Sequence, residues 1–247
     1  MMRICLLVLL LFPCFPSSGQ APVQKLTISH LTGAFYIYTS FGDAGNGVMF
    51  PANGMYVVTE KGVVLFDTPW DTTQFQPLLD SIRARHHQAV VLCISTHFHE
   101  DRTAGLDYYR QQSIKTYTTK RTDDLSREKN KPRAAHLIYG DTTFRVGSFV
   151  FETFYPGKGH SPDNIVIWFG RERILYGGCF IKSTDTESPG NLSDADIDAW
   201  ILSVRKVQAK CTDPHFVIPG HQSWKDKNAL GHTLRLLRKY KEKTGGR

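Results

Sequence analysis

The chain has 247 residues, of which 41% are apolar and 21% are charged, so it can bury a substantial core and is not an intrinsically disordered chain. Thirty Lys and Arg residues against 23 Asp and Glu residues give a formal net charge of +7, which suits anionic partners in general. The basic residues of 120–131 and 225–243 are scattered, with few aromatic side chains between them, so we expect no nucleic-acid partner.

The first 19 residues have the composition of an export signal. Arg3 supplies a positive charge, residues 4–12 form an apolar run too short to span a bilayer, and residues 17–19 are small. We expect cleavage near Gln20, export to a bacterial periplasm and a mature chain without a stable membrane anchor. Cys14 raises the alternative of a lipoprotein signal, but the residues directly before it are large.

Three cysteines remain after the predicted signal: Cys93, Cys179 and Cys211. An odd number in an exported protein indicates a free thiol or a thiol with another use, such as binding a metal. Cys93 lies in an apolar run and is expected to be buried. A disulfide between Cys93 and Cys211 is an alternative for which the pattern offers no support.

The first half of the mature chain reads as strands followed by helices. Strands are predicted at 25–31, 35–39, 55–59, 63–66, 89–95 and 114–118, and helices after Asp71, at 103–112 and at 121–130. Residues 41–50 combine three glycines with an apolar tip. This pattern fits two structures equally well: a mobile hairpin loop that covers a site, and an ordinary hairpin.

The second half repeats this order. Strands are predicted at 136–139, 143–146, 149–155, 164–169, 173–176 and 216–218, and helices at 193–208 and around 230–237. Two sheets, each with helices on its outer face, would form an α/β fold of the four-layer αββα sandwich type. No low-complexity linker divides the chain, so residues 20–247 are expected to form one domain, and we expect a monomer.

Six candidate metal ligands each follow an apolar run by a few residues. They are His97, His99, Asp101, His160, Cys179 and His221. The first three occupy alternate positions, so their side chains can point the same way as an extended chain ends. A catalytic zinc uses three protein ligands plus water, and six ligands therefore predict two metal ions. Any one of these residues alone has the simpler explanation of an ordinary polar loop residue; the six together predict the metal site.

The same residues resemble the metallo-β-lactamase superfamily. The resemblance is carried by His97-Phe98-His99-Glu100-Asp101, Gly-His160, Gly-Gly-Cys179 with Lys182 three residues on, and Pro-Gly-His221. Within this superfamily, the chain more narrowly resembles class B β-lactamases with a Cys in the second zinc site. Residues 65–70 and Asp101-Arg102 also match that subclass. The resemblance implies the metallo-β-lactamase fold and two Zn²⁺ ions. One would be held by His97, His99 and His160, and the other by Asp101, Cys179 and His221.

The implied activity is hydrolysis of the β-lactam amide bond of penicillins, cephalosporins and carbapenems by a metal-bound hydroxide, which gives antibiotic resistance. Lys182 would pair with the substrate carboxylate, and Asn191 would act beside Asp101 as a second catalytic residue by donating to the carbonyl oxygen. The alternatives for Lys182 and Asn191 are a solvated lysine and an ordinary turn. Trp70 would form an apolar wall of the site.

Two further residues would support the metal ligands. Asp67 would hold the metal-binding loop and Arg102 would balance the charge of Asp101, although a buried ion pair without catalytic effect is an alternative. Thioesterases of the glyoxalase II type resemble His-x-His-x-Asp-His and have a bridging Asp where this chain has Cys179, whereas Arg102 occupies the extra His position here. A thioesterase or lactonase, and a periplasmic zinc-binding protein with a closed site, are the competing functions.

Overall fold

The computed structural model describes residues 25–45 and 47–245, so the predicted export signal lies outside the described residues. A seven-stranded sheet holds its strands in chain order. These are β1 (Thr27–Thr32), β2 (Phe35–Asp43), β3 (Met49–Thr59), β4 (Gly62–Phe66), β5 (Val90–Ile94), β6 (Lys115–Thr119) and β7 (His136–Ile138). β1 to β4 pair antiparallel, and β4 to β7 pair parallel.

The second sheet has five strands. These are β8 (Thr142–Val146), β9 (Phe149–Phe154), β10 (Val166–Phe169), β11 (Ile174–Gly178) and β12 (Phe216–Pro219). Their order is β12-β11-β10-β9-β8, and only the pair of β11 with β12 is parallel. This parallel pair brings the segments after β11 and β12 to the same edge.

Six α-helices complete the described chain. They are α1 (Phe75–His86), α2 (Glu100–Thr103), α3 (Leu106–Gln111), α4 (Lys120–Glu128), α5 (Ile197–Lys210) and α6 (Ala229–Gly245). A 3₁₀ turn precedes α1, and the side chain of Asp71 caps it by accepting the Thr73 N–H at 2.8 Å. Within residues 25–45 and 47–245, we find no helix with the length and apolar character needed to span a bilayer.

The two sheets pack face to face over a shared core. Phe66 and Ile94 of the first sheet meet Phe169 and Tyr176 of the second, and all four are fully buried. Burying one such side chain is worth about 1.5–3 kcal/mol. Further apolar clusters join α1 and α3 to the outer face of the first sheet, and α5 and α6 to the outer face of the second. The predicted four-layer αββα sandwich is therefore confirmed.

Several predicted boundaries are wrong. β3 begins at Met49 rather than at residue 55, because it pairs with β2 as far as Asp43, and the hairpin loop shrinks to residues 44–48. The predicted helix 103–112 is broken before Gly105, whose N–H donates to Thr68 Oγ1 at 3.0 Å. α5 begins at Ile197 rather than at residue 193.

The described cysteines are all free and buried, which makes the Cys93–Cys211 disulfide wrong. Cys93 packs on the outer face of the first sheet, whereas Cys211 packs on the outer face of the second. The two sulfur atoms are thus separated by both sheets. Burial of Cys93 agrees with the prediction.

Candidate metal centre

All six candidate ligands meet at one edge of the sandwich. His97, His99 and Asp101 follow β5, while His160, Cys179 and His221 follow strands of the second sheet. Three overlapping groups each have donor atoms within 4.8 Å of one another. They are His97-His160-Cys179, His97-His99-Asp101 and Asp101-Cys179-His221. The two halves of the chain therefore contribute three donors each to one continuous cluster.

Three imidazoles form one side of this cluster. Ring centroids lie 4.7 Å apart for His97 and His99, 5.1 Å for His97 and His160, and 5.0 Å for His99 and His160. His97 Nε2 is buried without a hydrogen-bond partner among the described residues. Burial lowers the pKa of His97 and of His160 well below the usual value, so both rings are neutral. A neutral imidazole with an unpartnered nitrogen fits a metal ion such as zinc.

A carboxylate, a thiol and an imidazole form the other side. Asp101 Oδ2 lies 3.1 Å from Cys179 Sγ and 3.1 Å from His221 Nε2, and that nitrogen lies 3.1 Å from Cys179 Sγ. Burial alone would raise the pKa of Asp101, but Arg102 and the hydrogen bond to His221 hold it well below its usual range. Burial raises the pKa of the Cys179 thiol, and a bound metal would deprotonate it.

Close packing around Gly220 brings His221 to Cys179. A Cβ atom on Gly220 would lie 2.5 Å from the backbone nitrogen of Cys179 and 2.8 Å from Arg102 Nη2, so no side chain fits there. His221 Nδ1 hydrogen-bonds the carbonyl oxygen of Pro51 at 2.7 Å. That bond leaves Nε2 facing Asp101 and Cys179, as a metal ligand requires.

Arg102 is 1% exposed and connects both halves of the cluster. Its guanidinium donates to Asp101 Oδ2 at 3.0 Å and to Cys179 Sγ at 3.0 and 3.2 Å. It also donates to the carbonyl oxygens of Gly220 at 2.7 Å and Asn53 at 2.6 Å. The predicted charge partner of Asp101 therefore also holds the Cys179 sulfur and two backbone segments.

Asp67 supports the loop that carries the first ligands. Its carboxylate accepts the Thr96 N–H at 2.7 Å and the Tyr176 hydroxyl at 2.6 Å, and Arg102 Nη1 lies 3.5 Å away. Asp67 has φ of +63°, which is uncommon outside glycine. Burial raises the pKa of Asp67 to about 6, although Arg102 opposes this. Since Thr96 precedes His97, the contact fixes the start of the metal-binding loop.

The cluster opens into a cleft formed by two adjoining cavities of about 380 and 460 Å³. Trp70, Asn191, His160 and His221 line both cavities, and Lys182 lines the larger one. Lys182 is 9% exposed, and burial lowers its pKa. The cleft therefore places a cationic side chain beside the six donors, in a space with room for a small molecule.

The remaining predicted cleft residues lie in defined contacts. The Trp70 ring packs across Gly42, where a Cβ atom would lie 2.3 Å from it, and its centroid is 6.1 Å from that of His221. The ring centroids of Phe50 and His221 are 5.3 Å apart. Asn191 lines the cleft, and its Oδ1 accepts the Ser193 N–H at 3.0 Å, so both a turn and a site role fit its position.

Sequence reasoning missed Asp194. Its Oδ2 lies 3.0 Å from His99 Nε2, so the other ring nitrogen, Nδ1, turns toward His160 Nε2 at 3.1 Å. The sequence offers three alternating acids before and within α5, and they have three different roles. Asp196 caps the helix through the Ala199 N–H, and Asp198 pairs with Lys241. An acid in a loop before a helix was the available signal, but the pattern does not single out Asp194.

Known proteins resemble this chain over most of its length. A metallo-beta-lactamase type 2 from Elizabethkingia meningoseptica is 41% identical over 219 residues, covering 89% of this chain and 88% of the relative. Metallo-beta-lactamase IND-1 from Chryseobacterium indologenes is 39% identical over 204 residues, covering 83% and 85%.

Solved structures of metallo-beta-lactamases also resemble this chain. A metallo-beta-lactamase from Pontibacter korlensis, 33% identical, superposes with a TM-score of 0.83 and covers 87% of this chain and 99% of its own. Metallo-beta-lactamase IND-7, 37% identical, gives the same TM-score and coverage. The family model of the metallo-beta-lactamase superfamily matches residues 48–221. With its fold, its edge cluster and these relatives, the chain belongs to the metallo-β-lactamase superfamily.

Proposed function

We propose that the protein is a zinc-dependent hydrolase that opens the β-lactam amide bond of penicillins, cephalosporins and carbapenems and so gives antibiotic resistance. The observation that carries the proposal is the convergence of six donors, as two sets of three, on an open cleft that also contains the buried cation Lys182. The names of the relatives support the reaction, since each is a metallo-β-lactamase.

In this proposal His97, His99 and His160 hold one zinc ion, and Asp101, Cys179 and His221 hold a second. Zinc, when bound, lowers the pKa of a water ligand toward about 7 and polarises a carbonyl oxygen. Asp101 and the Cys179 thiolate neutralise two of the four positive charges of two such ions. The remaining positive charge attracts an anionic substrate, which suits the carboxylate of a β-lactam.

The other cleft residues bind and orient the substrate. Lys182 pairs with the substrate carboxylate, and Trp70 packs against its apolar part. Asn191 donates a hydrogen bond to the lactam carbonyl oxygen. Asp101 stays ionised and orients the attacking water, because Arg102 and His221 keep its pKa low. In the hydrolysis, the water oxygen adds to the carbonyl carbon, the C–N bond breaks and a proton passes to the nitrogen.

The test of this function is hydrolysis of a carbapenem and of a chromogenic cephalosporin by the zinc-loaded protein. We expect turnover that a chelator abolishes and added zinc restores. A thioester and a lactone, assayed in parallel, represent the competing hydrolases, and their cleavage without β-lactam cleavage would reject the proposal. Tight zinc binding without any turnover would instead indicate the zinc-binding protein with a closed site, which the open cleft disfavours.

Lys182→Met is expected to raise KM for a β-lactam carboxylate by about tenfold to a hundredfold, because a charged hydrogen bond is worth about 1.5–3 kcal/mol. The methyl ester of the same β-lactam should show no such increase. Lys61→Met, which removes an exposed lysine from a distant turn, is the matched control. An equal rise in KM for acid and ester would contradict the proposed role of Lys182.

Asp194→Ala is expected to weaken zinc binding by the three imidazoles about 10- to 100-fold, the usual cost of losing a partner behind a ligating histidine. Asp194→Asn, which retains an acceptor, should recover part of the affinity. Asp198→Ala is the control, because Asp198 lies nearby in the sequence but pairs with Lys241. Competition with a chromophoric chelator measures each affinity, and equal values for the Asp194→Ala and Asp198→Ala variants would exclude the positioning role.

We also propose that residues 1–19 are removed as a signal peptide, that residues 20–247 form one domain in the periplasm, and that this domain is a monomer with two zinc ions. The composition of residues 3–19 supports export, and the core shared by both sheets supports one domain. The mass of protein from a periplasmic fraction tests cleavage near Gln20. Sedimentation and metal analysis test the monomer and the zinc content.

A further inference from the structure

The outer helical layer of the second sheet carries the whole excess charge of residues 20–247. That segment has a net charge of +6, since Arg3 is the only Lys, Arg, Asp or Glu residue that precedes it. α5 contains three basic residues and one acidic residue, and α6 contains five basic residues and one acidic residue. The two helices therefore contribute +2 and +4, and the rest of the segment is neutral overall.

Most of these basic side chains lack an acidic partner. Of the basic residues of α5 and α6, only two form a salt bridge with a described residue. Lys210 pairs with Glu152 at 2.6 Å, and Lys241 pairs with Asp198 at 2.5 Å. The unpaired and exposed side chains are Arg205, Lys206, Arg235, Arg238, Lys239 and Lys243. We call the outward side of α5 and α6 that bears these six residues the basic face.

In contrast, several cations in and near α4 form salt bridges with acidic residues. Lys120 pairs with Asp124 at 2.5 Å, Lys131 pairs with Glu100 at 3.1 Å, and Arg133 Nε contacts Asp123 at 2.7 Å. In the earlier basic stretch, 120–131, three of the five cations are therefore neutralised by ion pairs. In the later stretch, four cations without an acidic partner among the described residues lie together on α6, a difference that the sequence alone does not reveal.

The spacing of the cations concentrates their charge. Arg235, Lys239 and Lys243 recur every fourth residue, so they line one side of α6 and repel one another. On α5, Leu202 is 58% exposed and precedes Arg205 and Lys206 by three and four residues, which puts it on the same side as both. The basic face therefore combines a row of cations with an exposed apolar side chain.

We propose that the basic face binds the surface of an anionic phospholipid bilayer. A plane of anionic headgroups would neutralise several unpaired cations at once, and Leu202 would insert among the headgroups. Nucleic acid is the less favoured partner, because the aromatic residues of α5 and α6 are the buried Trp200 and the half-buried Tyr240, which leaves no exposed ring for stacking. The metal centre lies at the strand ends and stays open to substrate in this arrangement.

The experiment compares co-sedimentation of the zinc-loaded protein with phosphatidylglycerol-containing vesicles and with pure phosphatidylcholine vesicles. We expect binding only to the anionic vesicles, and its loss at high salt. The combined variant Arg235→Gln, Lys239→Gln and Lys243→Gln should bind on the order of a hundredfold more weakly, because each cation near the surface contributes. Its fold should persist, since the substitutions remove like-charge repulsion, and unchanged circular dichroism checks this.

The matched control removes the same charge elsewhere. Lys61→Gln, Lys115→Gln and Arg145→Gln change three exposed residues outside α5 and α6, and we expect this variant to bind like the unmodified protein. Equal weakening in both triple variants, or equal binding to neutral and anionic vesicles, would overturn the proposal. So would displacement from the vesicles by a short DNA duplex at a concentration below that of accessible lipid.

A second readout locates the binding surface. A polarity-sensitive fluorophore on Leu202→Cys should shift to shorter wavelength with anionic vesicles, whereas the same label on Arg145→Cys should not. The described native cysteines are buried, so labelling is selective for the new residue. A shift at Arg145→Cys without one at Leu202→Cys would place the membrane on another face and reject the proposal.

Discussion

Arg102→Met is expected to lower the free energy of unfolding of the metal-free protein by about 3–5 kcal/mol, the usual cost of removing one partner from a buried ion pair. The guanidinium is fully buried and lies within 3.5 Å of carboxylate oxygens of both Asp101 and Asp67. Without it, these carboxylates and the carbonyl oxygens of Asn53 and Gly220 lose a buried donor. Equilibrium unfolding in urea measures the change.

The control for this prediction is Arg110→Met. Arg110 pairs with Asp107 at 2.9 Å on the surface, where both side chains are about half exposed. An exposed pair contributes at most about 1 kcal/mol, so this variant should be nearly as stable as the parent. If Arg102→Met lowers the free energy of unfolding no more than Arg110→Met does, the buried contacts of Arg102 do not stabilise the fold.

Cys179→Ser is expected to lower the affinity for the second zinc by more than about 100-fold, since even residues behind a ligand contribute 10- to 100-fold. A serine hydroxyl offers zinc a poor donor in place of a thiolate. The Asp101 and His221 donors, each 3.1 Å from the Cys179 sulfur, then lack their third partner. After dialysis, the zinc content should fall from two ions per chain to one, and the rate of β-lactam hydrolysis should fall as well.

Cys211→Ser provides the matched control. Cys211 is equally buried, but it lies at the end of α5 in the outer core of the second sheet and contacts none of the candidate ligands. This variant can lose stability but should still retain two zinc ions. Two tightly held ions in the Cys179→Ser variant would contradict the assignment of Cys179 to the second site.

The layers and the ligand cluster were predictable because both follow from local patterns. The apolar run before His97 predicts an interior strand, and alternate polar residues after it converge at the strand end. The same logic applies to Cys179 and His221, which follow a parallel strand pair. Short strands that end in turns bring such residues to one edge, and contacts such as those of Asp67 and Arg102 then fix their positions.

Other features depend on contacts between distant segments, which periodicity does not encode. The break between α2 and α3 arises because Thr68 accepts the Gly105 N–H, and α5 starts late because Asp194 reaches His99 instead of continuing a helix. Arg102 looked like a local partner of Asp101, yet it also reaches Gly220, which is 118 residues away. Tertiary contacts therefore decide these details.

The division of donors between the two halves has a consequence for proteolysis. In the proposed assignment, the first half supplies two donors for one zinc and one for the other, and the second half supplies the reverse. Neither half can complete a site alone, so metal binds only when the halves are docked. By mass action, zinc at about a hundred times its dissociation constant adds about 2.7 kcal/mol per site to the native state. Zinc scarcity would therefore make the chain more susceptible to proteases as well as inactive.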